Sequence, residues 1–87
     1  MKSILQSNTC CWVCGEKNTE IHHCLFGSGK RALSEKYGLT ICLCPKHHRL
    51  GKDAMHFNKQ LDNEIKAMAQ RKAMEHYGWS EEDFINL

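Results

Sequence analysis

Thiolates and imidazoles crowd the stretch between Cys10 and His56. Cys11-Trp12-Val13-Cys14 comes first, then His22-His23, then Cys44-Pro45-Lys46-His47-His48. These donor types hold borderline and soft metal ions, and they suffice for two ions with different jobs. One ion would hold the fold and the other would do chemistry. Structural zinc takes four tetrahedral ligands, and short turns of the Cys-x2-Cys or Cys-x2-His kind bring two side chains to one point. Cys11, Cys14, Cys44 and His47 fit that layout as a structural Zn2+ site. Two rivals stand beside it: Cys10 in place of Cys11, at Cys-x3-Cys spacing, and His48 in place of His47. The x2 spacing is preferred on both sides as the tighter and commoner knuckle. Cys24 and Cys42 flank apolar residues and read most simply as small buried hydrophobes, with a second zinc site using them left open.

With His47 assigned to zinc, His22, His23, His48, His56 and His76 remain. A single such residue would read as a surface histidine. Several clustered around a zinc knuckle argue for a second site. Neighbours on a strand point to opposite faces, so His22 and His23 are expected to have different roles.

The bulk properties bound the answer. At 87 residues the chain is one domain, and domains this small bury only about 60% of the surface their unfolded chains expose. A staple is therefore expected. The six cysteines could form disulfides, but no secretory leader is legible in Met1-Lys2-Ser3-Ile4-Leu5-Gln6, two cysteines are paired as Cys-x2-Cys, and six histidines accompany them. A cytosolic zinc protein is the expectation. No segment approaches the roughly 18 apolar residues of a membrane span, so no membrane partner is expected. A net charge of +2 and a pI near 8.2 permit nucleic-acid binding without arguing for it. Lys30, Arg31, Lys36, Lys46, Arg49 and Lys52 all fall between the first histidine pair and His56, which reads blandly as a solvated basic face.

The elements that must position these residues follow from local signals. Residues 1–9 read as a short arm, partly disordered, with a little apolar content at Ile4 and Leu5. Residues 10–58 make the zinc-bound core, and 59–87 its helical extension. Glu20 to Phe26 reads as a short strand, Gly27-Ser28-Gly29 as a flexible loop, and Ala32 to Tyr37 as a helical turn closed by Gly38. Leu39 to Leu43 is a second strand that delivers Cys44. Two antiparallel strands would bring the knuckles together. The helical pattern begins near His47 and is interrupted near Gly51. It then gives an amphipathic helix of about 18 residues with Leu61, Ile65, Met68, Ala69 and Tyr77 on one face, stopped at Gly78. Ser80 would cap a short terminal helix anchored by Trp79, Phe84 and Ile85.

Two knuckles, a His-His pair ending the first strand and a Cys-x2-His-His ending the second resemble the HNH endonuclease family over about Cys11 to His56. The tail is similar to small phage-type HNH proteins. The resemblance implies a small α+β fold: a ββα-metal (His-Me finger) core, zinc-stabilised, with a C-terminal amphipathic helix and a short terminal helix. It implies His22, His48 and His56 as ligands of a catalytic divalent ion (Mg2+, Mn2+, Ni2+ or Zn2+) and His23 as the general base. His56 lies further along than the family's spacing, with Leu50-Gly51-Lys52-Asp53 as an insertion. The family's central asparagine has no counterpart: residues 24–43 contain neither Asn nor Asp, and Leu39 occupies the expected place.

The resulting expectation is a divalent-metal-dependent DNA endonuclease that leaves a 5′-phosphate and a 3′-hydroxyl. Lys30, Arg31 and Arg49 would grip backbone phosphates with weak sequence preference. The competing expectation is a catalytically degenerate, zinc-stapled DNA-binding or adaptor module. A third is protein interaction through the terminal helices. Further expectations are a cytoplasmic location in a bacterial host or as a phage-encoded protein, a monomer or weak dimer, and a phage packaging or recombination protein as a partner.

Overall fold

A computed structural model describes residues 2–25, 29–51, 54–55 and 57–87. The element order is β1 (Glu20–His23), α1 (Lys30–Tyr37), β2 (Thr40–Leu43), a single π-helical turn (Lys46–Leu50), α2 (Lys59–Tyr77) and α3 (Glu81–Ile85). This is a small α+β architecture with one two-stranded antiparallel sheet. The register sets Glu20 opposite Leu43, Ile21 opposite Cys42, His22 opposite Ile41 and His23 opposite Thr40. Opposed residues share a face, so His22, Ile41, Glu20 and Leu43 lie on one side of the hairpin and His23, Thr40, Ile21 and Cys42 on the other. The first side is the buried one: Ile41 and Leu43 are sealed from solvent, while Ile21 is 61% exposed.

Both strands are shorter than the apolar pattern suggests. The first ends at His23, and Phe26, with the Gly27-Ser28 part of the expected loop, lies outside the described residues. Helix α1 starts two residues before the expected turn and ends on Gly38, which adopts φ 70° and turns its amide back to the Glu35 and Ser34 carbonyls. Ser34 is fully buried. Its hydroxyl accepts from the Leu25 amide at 3.0 Å and its carbonyl from the Leu39 amide at 2.8 Å, pinning α1 to the ends of both strands.

Residues 2–6, expected as an arm, are fastened to β2. Ser3 Oγ donates to the Thr40 carbonyl, the Cys42 amide donates to Gln6 Oε1 at 2.7 Å, and the Trp12 amide donates to the Cys42 carbonyl at 2.8 Å. These bonds satisfy polar groups that an open sheet edge would leave bare. Leu5 is drawn into the core as a result.

Helix α2 matches its expected amphipathic character. Asn58 caps it by accepting from the Leu61 amide at 3.1 Å, Asp62 pairs with Lys66 at 2.9 Å one turn on, and Gly78 ends it at φ 69°. Ile65, Ala69 and Ala73 form the buried line, joining Leu39, Ile41, Leu43 and Cys24 in one core. Each large apolar side chain sealed there contributes roughly 1.5–3 kcal/mol. The end of α2 is tied to α1 by aromatics: Tyr77 stacks on Trp79 at 4.6 Å, Tyr37 meets both edge-on, and Tyr77 Oη donates to the Tyr37 carbonyl at 2.6 Å. Helix α3 opens with the expected Ser80 cap, reciprocated by Asp83. Trp79 and Phe84 pack on the core as expected, but Ile85 is 67% exposed and anchors nothing. Among the described residues, no helix is long and apolar enough to cross a membrane.

Candidate metal centre and the histidines beside it

The first knuckle is built by a tight turn in which the Gly15 amide donates to the Cys11 carbonyl at 2.9 Å and the Cys11 amide to the Glu16 carbonyl at 2.7 Å. Gly15 sits at φ 79°, a left-handed conformation that costs a side-chain-bearing residue steric strain. The second knuckle is the start of the π-helical turn. There the His47 and His48 amides both donate to the Cys44 carbonyl, and the Gly51 amide closes the wide turn on the Lys46 carbonyl. Because β2 runs directly into Cys44 and its edge carries Trp12, sheet pairing sets the two knuckles face to face.

Cys11, Cys14, Cys44 and His47 present ligand atoms that all lie within 4.8 Å of one another. The Cys14 and Cys44 sulfurs are 3.7 Å apart, and His47 Nδ1 lies 3.7 Å from the Cys11 sulfur and 3.2 Å from that of Cys44. A tetrahedral zinc with bonds of about 2.3 Å to sulfur and about 2.0 Å to nitrogen requires edges of roughly 3.5–3.8 Å. The donor chemistry suits such an ion, the two 3.7 Å separations match its edges, and the cluster could hold zinc. The x2 spacing is the one realised on both sides. Cys10 and His48 stand outside the group.

The electrostatics agree with a cation at this point. Burial opposes the Cys11 thiolate, yet hydrogen bonds from the backbone at Cys44, Cys14 and Val13 and from the Cys14 side chain outweigh it and bring the pKa to about 6. At Cys14 the Glu16 backbone favours the thiolate, but burial and the neighbouring Cys11 and Cys44 sulfurs outweigh it and push the pKa up. Mutual repulsion of this kind is what a divalent ion among the sulfurs relieves.

The remaining histidines divide by strand face. His22 is buried, and its ring meets that of His48 edge-on with centroids 5.6 Å apart. His23 lies on the opposite face, with Nε2 3.0 Å from Glu35 Oε1 of α1. His22, His23 and His48 do not form a three-ligand group: among the described residues the Cys3His set is the one that converges. His56, expected as a further ligand, lies outside the described residues. Cys24 is buried, its thiol pushed up to about 12 by burial and by the Asp62 charge, and it behaves as the hydrophobe it was read to be; Cys42 is only half-buried.

Two carboxylates give the site features that residue types alone did not flag. Glu20 Oε1 lies 2.8 Å from His48 Nδ1, and both Glu20 oxygens accept from Arg49 at 2.8–3.1 Å. The Arg49 guanidinium first, then His48, hold the Glu20 pKa down to about 2. Glu20 falls two residues before His22 on the same strand face, a spacing that could have signalled it. Glu35 gave no comparable signal, because only the packing of α1 carries it to His23.

The expected phosphate-gripping cations are arranged differently from a free basic face. Arg49 is engaged with Glu20, Lys30 Nζ donates to the Leu87 carbonyl oxygen, and Arg31 is exposed on α1. The chain matches no protein-family model, no curated protein and no solved structure.

Proposed function

We propose that the chain is a divalent-metal-dependent DNA endonuclease of HNH type, with a ββα-metal core held by the Cys3His zinc site. The observation that carries this reading is the meeting of His22 and His48: one ring from β1, the other from the residue directly after the zinc ligand His47, edge to face at 5.6 Å. His22 and His48 would hold the catalytic ion, with His56 as a third ligand. Imidazole donors suit Zn2+ or Ni2+ better than Mg2+, which prefers oxygen. When bound, such an ion supplies Lewis-acid polarisation of the scissile phosphate and stabilisation of the leaving 3′ oxygen. His23 would take a proton from the attacking water, which forms the new phosphorus–oxygen bond as the bond to the 3′ oxygen breaks. Glu20 accepts a hydrogen bond from His48 Nδ1, which leaves Nε2 as the lone-pair nitrogen of the neutral ring. Arg31, exposed on α1, would contact a backbone phosphate.

A second reading is favoured by two specific observations. Residues 24–43 lack Asn and Asp, and Arg49 is already paired with Glu20. Both fit a zinc-stapled module that binds DNA or a partner protein without cutting. Supercoiled plasmid nicking with added Mn2+, Ni2+ or Mg2+ separates the two. The nuclease reading expects nicking that falls by about 10²–10⁴-fold in His23→Ala, with zinc content and melting unchanged. Wild-type protein that binds plasmid but leaves it supercoiled, or a His23→Ala protein that nicks normally, overturns it.

A further inference from the structure

We propose that Glu35 is the positioning residue for His23: it holds the imidazole by its Nε2 proton and makes Nδ1 the proton-accepting nitrogen. In a chain whose residues 24–43 contain no Asn, the support for the His23 ring would then come from a helix packed against the hairpin. The catalytic meaning of this assignment rests on the nuclease reading above.

The chemistry of the pair sets the direction of the bond. Glu35 Oε1 lies 3.0 Å from His23 Nε2, and an ionised carboxylate only accepts hydrogen bonds. The Nε2 atom must therefore carry the proton, and the neutral ring keeps its lone pair at Nδ1. The same hydrogen bond holds the Glu35 carboxyl below its usual range, with smaller help from the His23 and Arg31 charges. His48 has the opposite assignment, since its Nδ1 is the atom bonded to Glu20. The two neutral rings thus carry their lone pairs on different nitrogens, Nδ1 in His23 and Nε2 in His48.

The fold supplies the rigidity that positioning needs. Ser34, next to Glu35 in sequence, is fully buried and joins α1 to both strand ends through the Leu25 and Leu39 amides. On the other side, Gly38 ends α1 in tight contact with residues 2–4, where a Cβ would stand 2.6 Å from the Lys2 carbonyl oxygen. The helix cannot slide along the hairpin without breaking these contacts. Glu35 is itself largely exposed, at 60% of its side-chain surface, so its bond to His23 adds little as a surface ion pair. Its geometric effect on the His23 ring is the larger consequence.

The test uses the zinc-loaded, 15N-labelled full chain in mildly alkaline buffer, with Glu35→Ala and Glu35→Gln beside it. A hydrogen-bonded His23 Nε2 proton should be visible by NMR in the wild type, vanish through exchange in Glu35→Ala, and return in Glu35→Gln, whose amide oxygen still accepts. Melting of all three should coincide. On plasmid, Glu35→Ala should lower kcat by about 10–100-fold with KM unchanged, and Glu35→Gln should recover most of it. A His23 proton on Nδ1, or a protected Nε2 proton that persists in Glu35→Ala, overturns the assignment. So does an unchanged kcat in Glu35→Ala. Wild-type protein that shows the Nε2 proton but does not nick refutes the nuclease reading and the catalytic role of Glu35 with it, while the positional assignment stands on the NMR result.

Discussion

His47 and His48 are adjacent in sequence and point to different chemistry: His47 Nδ1 lies 3.2 Å from the Cys44 sulfur, whereas His48 Nδ1 lies 2.8 Å from Glu20 Oε1 and its ring meets His22. Successive side chains on a helical turn diverge, and the π-helical turn beginning at Lys46 sends His47 to the Cys3His cluster and His48 to Glu20 and His22. Replacing each in turn should separate their roles. His47→Ala and Cys44→Ala should lose the bound zinc and with it the cooperative fold, because zinc binding worth about 10–16 kcal/mol is comparable to the whole net stability of a domain, roughly 5–15 kcal/mol. His48→Ala and Cys10→Ala should keep one zinc per chain and melt cooperatively. Metal content and circular dichroism read both outcomes, and a folded, zinc-free Cys44→Ala protein would refute the structural-zinc assignment.

Among the described glycines, Gly38 is the one that couples a left-handed backbone to a close approach. It combines φ 70° with a position where a Cβ would approach the Lys2 carbonyl oxygen to 2.6 Å and the Ile4 amide nitrogen to 3.2 Å. Gly78 has nearly the same φ, 69°, with nothing near the added carbon. Gly78→Ala should therefore cost only the left-handed backbone strain, about 1–2 kcal/mol. Gly38→Ala should cost more, because the 2–6 segment must also shift off β2. Urea unfolding at saturating zinc compares the two directly, and equal losses would show that the close approach is unimportant.

Tyr77 links stability to alkaline pH. Burial first, then the nearby Tyr37, push its pKa above the ordinary tyrosine value, so the folded state favours the neutral phenol that donates to the Tyr37 carbonyl. A folded pKa above the unfolded one means stabilisation present below about pH 10 and lost as pH rises through that value toward the folded pKa. Tyr77→Phe should lower stability by about 0.5–1.5 kcal/mol near neutrality, the usual worth of such a hydrogen bond. The gap between the two proteins should narrow above about pH 10. Parallel melting curves across the alkaline range would contradict the linkage.

The parts legible from the chain alone are those specified by a few neighbouring residues. Cys-x2-Cys and Cys-x2-His spacing named the four residues that the fold brings together, Gly38 and Gly78 marked two helix ends, and Ser80 marked a helix start. Turn geometry and capping act over three or four residues, so residue type and spacing carry them. Alternation on a strand likewise put His22 and His23 on opposite faces before any contact was known.

What those faces meet was decided by tertiary packing. The partners of His23 and His48, the burial of Ser34, the seating of Leu5 and the pairing of Arg49 with Glu20 join residues far apart in sequence. Their positions depend on how α1 docks on the hairpin and how residues 2–12 close the edge of β2. No local pattern encodes that docking, because it is the joint result of core packing and of satisfying backbone groups that only the assembled sheet exposes.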